Sequence, residues 1–319
     1  MQKIRWRISL SKSFLLVLLA AMPSPAQTFT TTLYSFCSEA DCADGDQPLS
    51  GLVQGSDGDF YGTTYGGGTY NYGTIYRITP SGALTILHSF NDTDGAYPWG
   101  GLVRGTNGSF YGTTSEGGHN DNGTVFRITT AGELTTIYTF CPQDQCPDGA
   151  NPRAALIQAT DGSLYGTTWG GGSKNHGTAF RIDLSGALRT LYRFCSLPNC
   201  VDGSQIVAGL VQDTDGNLYG TASNGGKYGG GTVFSLSVGL GPFVETRPTL
   251  GMAGKHVEIL GTDLTGTTSL TFNGTPATFS VVSPSLIKTT VPAGATSGTV
   301  QVVTPGGTLN SNVAFRVIQ

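Results

Sequence analysis

D-G-S-L-Y-G-T-T at residues 161–168 is one of four copies of a single phrase. D-G-D-F-Y-G-T-T stands at 57–64, N-G-S-F-Y-G-T-T at 107–114 and D-G-N-L-Y-G-T-A at 215–222. Twelve residues after their tyrosines, Tyr61, Tyr111, Tyr165 and Tyr219, come Gly73, Gly123, Gly177 and Gly231, each opening a G-T-x-[FY] segment. A period of about fifty residues marks units that bury a core only by packing on their neighbours. Each unit reads as four short strands separated by Gly and Pro turn signals, which is the arithmetic of a β-propeller blade. In the first unit these are Gly51–Gln54, Phe60–Thr64, Thr74–Thr79 and Leu84–Phe90.

Thr31–Phe36 matches the last strand of a unit, and the fourth copy stops after its third strand, Gly231–Leu236. The first segment is therefore expected to complete the last blade, giving sixteen strands and a ring without an exposed edge. Whether four blades close within one chain or two chains share an eight-bladed ring stays open at this stage. Phe36, Phe90, Phe140 and Phe194 in the outer strand and Leu52, Leu102, Leu156 and Leu210 in the inner one are expected core positions.

The chain opens with Lys3, Arg5, Arg7 and Lys12, an apolar run from Phe14 to Met22, and Ser24 and Ala26 at cleavage-site spacing. That pattern is a secretory signal peptide, residues 1–26, with an apolar run too short to span a bilayer. Its removal takes four basic and no acidic residues, moving the formal charge from −4 to −8. An acidic mature chain has no electrostatic footprint for nucleic acid. With 48 glycines and only 12% charged residues, the composition is that of a turn-rich, all-β, exported protein, secreted or held in the cell envelope. No spanning segment is expected after signal removal.

Six cysteines fall five apart in pairs: Cys37 and Cys42, Cys141 and Cys146, Cys195 and Cys200. The second unit, Phe90–Gly95, has a loop four residues shorter and lacks the pair. Loop length and cysteines come and go together, so each pair is expected to pin its own loop as a disulfide, with metal binding as the rival reading.

The G-T-[VI]-[FY]-R-I segments, as at 123–128, together with the Y-G-T phrases resemble the GloVer-type tandem repeat of exported bacterial proteins over residues 31–237. They are also similar to two-component-regulator propeller blades. GloVer members often carry a choice of C-terminal anchor, and a departure from that pattern, with no sorting tail, is expected here. The resemblance implies an architecture and no activity. From Gly254, G-K-H-V-E-I-L-G-T-D-L, then F-N-G at 272–274 and V-P-A-G-A at 291–295 resemble an IPT/TIG domain, which implies an immunoglobulin-like β-sandwich. Alternation at Val257, Ile259, Leu270, Phe272, Val300 and Val302 supports this independently. The expected layout is a signal peptide at 1–26, repeats forming a β-propeller at 27–238, a linker at 239–249 and the sandwich at 250–319.

If blades wind in the usual sense, the disulfide loops and the Gly-rich loops share one rim, the better candidate for binding. Residues that vary there are Tyr65, Tyr70 and Tyr72; Glu116, His119 and Asp121; Trp169, Lys174 and His176; Lys227 and Tyr228. Tyr97 and Trp99 join them, and exposed aromatics of this kind stack on sugar rings or protein partners, or simply pack on the loops. Glu116, His119 and Asp121 form the one acid and histidine cluster, the centre of any lyase or hydrolase activity. Asp44, Asp94, Asp148 and Asp202 recur before glycine, either as turn residues or as a ring able to hold calcium. No other cofactor is expected. The reading is a non-catalytic extracellular interaction module for a glycan or protein partner, with a carbohydrate-active enzyme or a purely structural surface protein as alternatives.

Overall fold

A computed structural model describes residues 30–318; the expected signal peptide lies outside the described residues. The first repeat is an antiparallel sheet of β1 (Val53–Gln54), β2 (Phe60–Thr64), β3 (Thr74–Ile78) and β4 (Leu84–Ser89) in that order. The second repeats it with β5 (Val103–Arg104), β6 (Phe110–Thr114), β7 (Thr124–Ile128) and β8 (Leu134–Thr139). The third has β9 (Ile157–Gln158), β10 (Leu164–Thr167), β11 (Thr178–Ile182) and β12 (Leu188–Arg193). The fourth has only β13 (Val211–Gln212), β14 (Leu218–Ala222) and β15 (Thr232–Leu236). The protein is thus nearly all-β, with three four-stranded propeller-like units and a fourth of three strands in chain order.

The repeated phrase folds each unit by three local devices. Tyr61 Oη donates to Asp57 at 2.7 Å, Tyr165 to Asp161 at 3.1 Å and Tyr219 to Asp215 at 2.8 Å, locking the turn onto the strand that follows it. In the second unit Asn107 Nδ2 donates to Tyr111 Oη instead, at 2.9 Å. The glycine after each tyrosine lies beneath the aromatic ring of the neighbouring strand. A Cβ on Gly112 would stand 2.5 Å from the Phe126 ring, so only glycine fits. The threonines then pair across strands: Thr64 with Thr74, Thr114 with Thr124 and Thr168 with Thr178, Oγ1 to Oγ1 at 2.8–2.9 Å. Ala222 replaces the threonine in the fourth unit, and Thr232 Oγ1 is left buried without a partner.

Between units the packing is also periodic. Phe90 meets Phe126 with ring centroids 5.3 Å apart, Phe140 meets Phe180 at 5.3 Å and Phe194 meets Phe234 at 4.8 Å. Leu102, Leu156 and Leu210 are buried, as expected of core positions. Each such side chain contributes about 1.5–3 kcal/mol by leaving water.

Among the described residues the ring is not closed within one chain. Among the described residues no strand pairs with the outer edge of β15, and Leu33–Phe36 is in no sheet. Leu52, expected in the core, is 52% exposed, and Val233 on β15 is 80% exposed. The physical reason is that each inner strand is covered by the preceding unit, and the first unit has none before it.

The C-terminal part is an immunoglobulin-like sandwich. One sheet holds Glu245–Arg247, His256–Leu260, Leu286–Thr290 and Phe279–Ser283; the other holds Thr275–Pro276, Ser269–Phe272, Val300–Thr304 and Gly307–Asn310. Its core includes Val257, Ile259, Leu270, Phe272, Val300 and Val302, the alternating residues of the sequence. The sandwich takes up more chain than 250–319, because Glu245–Arg247 pairs with His256–Leu260 and Val244 is buried in its core. It is tied to the fourth repeat by Phe243 N–H to the Thr214 carbonyl at 3.0 Å and by Thr214 Oγ1 with Thr262 Oγ1 at 2.9 Å.

Candidate functional site: an aromatic and arginine patch on the loop face

The loop entering each unit pairs with that unit's Gly-rich loop through isolated bridges: Asp46 with Gly66, Ala96 with Glu116, Ala150 with Gly170 and Ser204 with Asn224. Disulfide loops and Gly-rich loops therefore lie together, as the strand order implied. Next to each bridge a non-glycine residue takes a left-handed backbone: Gln47 (φ 55°), Tyr97 (φ 56°), Asn151 (φ 53°) and Gln205 (φ 55°). Its carbonyl accepts from Tyr65, Ser115, Trp169 and Ser223 N–H respectively. Its N–H reaches back to the preceding unit, Tyr97 to the Tyr72 carbonyl, Asn151 to that of Asn122 and Gln205 to that of His176. This backbone lattice fixes where the variable side chains stand.

On it six side chains form a continuous patch over three repeats. Tyr65 stacks on Tyr97 at 4.9 Å and meets Trp99 edge-on at 5.2 Å, while Tyr72 meets Tyr97 at 5.7 Å. Arg153 extends it, its guanidinium 5.4 Å from the Trp99 centroid and 4.3 Å from that of Trp169. Trp99 is 40% exposed and the other members are half-buried. Burial pushes the Tyr97 hydroxyl above its ordinary range, with the negative charge of Glu116 adding to the effect.

Arg153 was missed in the sequence. The signal was present, since Pro152-Arg153 occupies the register of Pro98-Trp99 in the repeat. The remaining rim residues are not assembled with the patch. Tyr70 and Tyr228 are exposed at loop tips, and Lys227 Nζ lies 5.4 Å from the Tyr228 ring. Lys174 lines a separate polar groove with Asn122, Asn151 and Asn175. His176 is half-buried beside the Cys195–Cys200 disulfide.

Glu116, His119 and Asp121 make separate local contacts. Asp121 Oδ1 accepts from Gly117 N–H at 2.9 Å, the same loop-closing bond that Asn71 makes to Gly67 and Asn175 to Gly171. No hydrogen bond joins Glu116, His119 and Asp121 among the described residues, and His119 is exposed.

The four recurring aspartates are likewise engaged locally rather than gathered. Asp44 accepts from Tyr34 Oη at 2.7 Å and from Ser38 N–H and Oγ; Asp202 accepts from Tyr192 Oη at 2.8 Å and from Ser196. Asp148 accepts from Tyr138 Oη at 2.8 Å and Asp94 pairs with His88 Nε2 at 2.8 Å. Burial works to raise the Asp44 carboxyl, but the Tyr34 and Ser38 hydrogen bonds outweigh it and hold it at about 2. Asp202 is lowered by the same balance. Asp148 Oδ1 has no partner: Glu39 and Leu197 N–H donate to the same oxygen of Asp44 and Asp202, and Gln143, which holds their register, makes no such bond. Each aspartate thus binds groups of its own outer strand and the loop behind it. The three cysteine pairs are disulfide-bonded, Cys37–Cys42, Cys141–Cys146 and Cys195–Cys200.

Fold and site together define a tandem-repeat β protein that gathers aromatic and arginine side chains on one loop face and carries an appended immunoglobulin-like domain. The Gloeobacter/Verrucomicrobia repeat matches residues 22–159 and 56–276, and the IPT/TIG domain matches 246–317. The chain belongs to the Gloeobacter/Verrucomicrobia repeat family. No curated protein sequence matches it. Among solved structures it is similar to a periplasmic gluconolactonase of Pseudomonas aeruginosa, at 15% identity over 85% of this chain and 84% of that one, with a TM-score of 0.35. It is also similar to an auxiliary nutrient binding protein from Bacteroides ovatus, at 12% identity over 82% of this chain and 56% of that one, with a TM-score of 0.37.

Proposed function

We propose that the protein is an exported binding module that takes a glycan on the Tyr97, Tyr65, Trp99, Arg153 and Trp169 patch. The observation that carries this reading is the continuity of that patch across three repeats. Aromatic faces beside polar handles offer sugar rings both stacking area and hydrogen bonds. Disulfides within three loops and the basic-then-apolar N-terminus support an oxidising, extracytoplasmic setting. Among the described residues no helix is long and apolar enough to cross a membrane.

The chain's three tryptophans are Trp6, Trp99 and Trp169, so after signal removal both remaining tryptophans belong to the patch. Tryptophan fluorescence, excited beyond the tyrosine absorption band, is then a reporter of the site. Titration of the mature protein with envelope and matrix polysaccharides is expected to give a saturable change. No change with any polysaccharide, alongside capture of a protein partner by the same face, would replace the glycan by a protein ligand. The enzyme reading would need turnover that His119→Ala abolishes.

A further inference from the structure

The two ends of the repeat array are complementary halves of one junction. At each internal junction three contacts recur. A threonine donates to the backbone of the next unit: Thr63 Oγ1 to the Gly100 carbonyl at 3.4 Å, Thr113 to Ala154 at 3.2 Å and Thr167 to Ala208 at 3.3 Å. A loop N–H returns to the preceding unit: Tyr97 to Tyr72 and Asn151 to Asn122 at 2.8 Å, Gln205 to His176 at 2.9 Å. A leucine of the next unit's inner strand, Leu102, Leu156 or Leu210, is buried with the preceding unit's tyrosine.

The fourth unit presents the first half of this set and the first unit presents the second. Thr221 is exposed, and among the described residues the Gly230 carbonyl makes no such bond. At the other end Ser50 holds the carbonyl register, Gln47 the N–H register and exposed Leu52 the leucine register. The strand edges match as well. Beside β15 runs a groove of about 280 Å³ lined by Val233, Phe234 and Leu236, where the earlier units hold their fourth strand. Leu33–Phe36 has the sequence of that fourth strand, L-Y-S-F against L-H-S-F and L-Y-R-F. It already makes that strand's contacts on its far side: Phe36 meets Tyr76 at 4.9 Å, and Tyr34 donates to Asp44 as Tyr138 does to Asp148. Only its ladder partner is missing.

We infer that the fourth repeat is completed by Leu33–Phe36 of a second copy of this chain, two copies joining head to tail at both ends into a ring of eight units. The occupant is a second copy because the chain carries every complement of its own free end, while among the described residues no strand pairing or backbone hydrogen bond joins the two ends of one chain. Closure removes both unpaired edges and covers Leu52 and Val233, as head-to-tail interfaces do when they close. The register follows from the earlier units. Thr74 faces Ser89 and Thr178 faces Arg193, so Thr232 faces Ser35 of the second copy.

The mass of the mature wild-type chain in solution, by light scattering on a sizing column, is expected at twice the monomer. Mixing a Ser35→Cys chain with a Thr232→Cys chain under mild oxidation is expected to give a reducible two-chain band that neither gives alone. A monomer at tens of micromolar would overturn the inference. A chain carrying both substitutions that links only internally would overturn it too, placing closure within one molecule.

Discussion

The Arg153 guanidinium lies 4.3 Å from the centre of the Trp169 ring and 5.4 Å from that of Trp99, so one cation joins aromatic side chains of the second and third repeats. Neither tryptophan is surrounded on all sides, and Trp99 is 40% exposed. The arrangement orders two large flat faces at little cost in core packing.

Trp99→Ala is expected to weaken binding of a recognised polysaccharide at least tenfold, about 1.4 kcal/mol, in a calorimetric titration. Its effect on thermal unfolding is expected to be small, because the side chain is a surface one. Arg153→Lys is expected to lower affinity as well, since an ammonium cannot stack flat on the Trp169 ring.

Asp57→Ala strands the Tyr61 hydroxyl, which is fully buried, whereas Asp215→Ala strands that of Tyr219, which is half-buried. Unfolding in urea is expected to show a loss of about 1–3 kcal/mol for the first and clearly less for the second. Equal losses would mean that the hydrogen bond, and not the burial of the hydroxyl, sets the cost.

Acid stability follows from the lowered carboxylates. Asp44 sits at about 2 in the folded chain against an ordinary 3.8, so the folded state binds its proton later than the unfolded state. Its contribution is complete above pH 3.8 and is shed as the pH falls through 3.8 towards 2. Asp57, Asp161, Asp202 and Asp215 are lowered too and act in the same direction. On the alkaline side, burial and then the Asp57 hydrogen bond push Tyr61 up to about 12 from 10.0. The folded state keeps that proton while the unfolded state loses it, so stability falls as the pH rises from 10 to 12. A melting temperature measured across pH 2–12 is expected to fall at both ends, and Tyr34→Phe should flatten the acid limb.

Replacing Cys195 and Cys200 by serine reopens a six-residue loop and is expected to cost about 2 kcal/mol on chain-entropy grounds. Dithiothreitol should lower the melting temperature of the wild type by opening three such loops. The second repeat needs no such clamp, because its Phe90–Gly95 loop is already four residues shorter.

Much of the architecture was legible in residue spacing. The D-G-x-[FL]-Y-G-T phrase encodes its own fold, since aspartate and tyrosine four apart close a turn and the glycine admits a ring above it. The disulfides were legible because Cys37, Cys141 and Cys195 vary together with loop length. The recurring aspartates were ambiguous: Asp44 before Gly45 is a turn signal and a metal-ligand type alike, and its contacts with Tyr34 and Ser38 are not legible in the spacing. Glu116, His119 and Asp121 were close in sequence, yet Asp121 is turned to the Gly117 N–H.

The sequence by itself determined the repeat, its strands, its disulfides and the immunoglobulin-like sandwich, because all of these arise from contacts between residues close in the chain or from strict period-two patterning. Tertiary structure alone decided that Arg153 reaches both tryptophans and that, among the described residues, β15 has no outer partner and Leu33–Phe36 joins no sheet. Those outcomes depend on how one unit is rotated against the next. No local pattern carries that rotation, since it is set by the summed packing of Phe, Leu and Thr side chains across each junction.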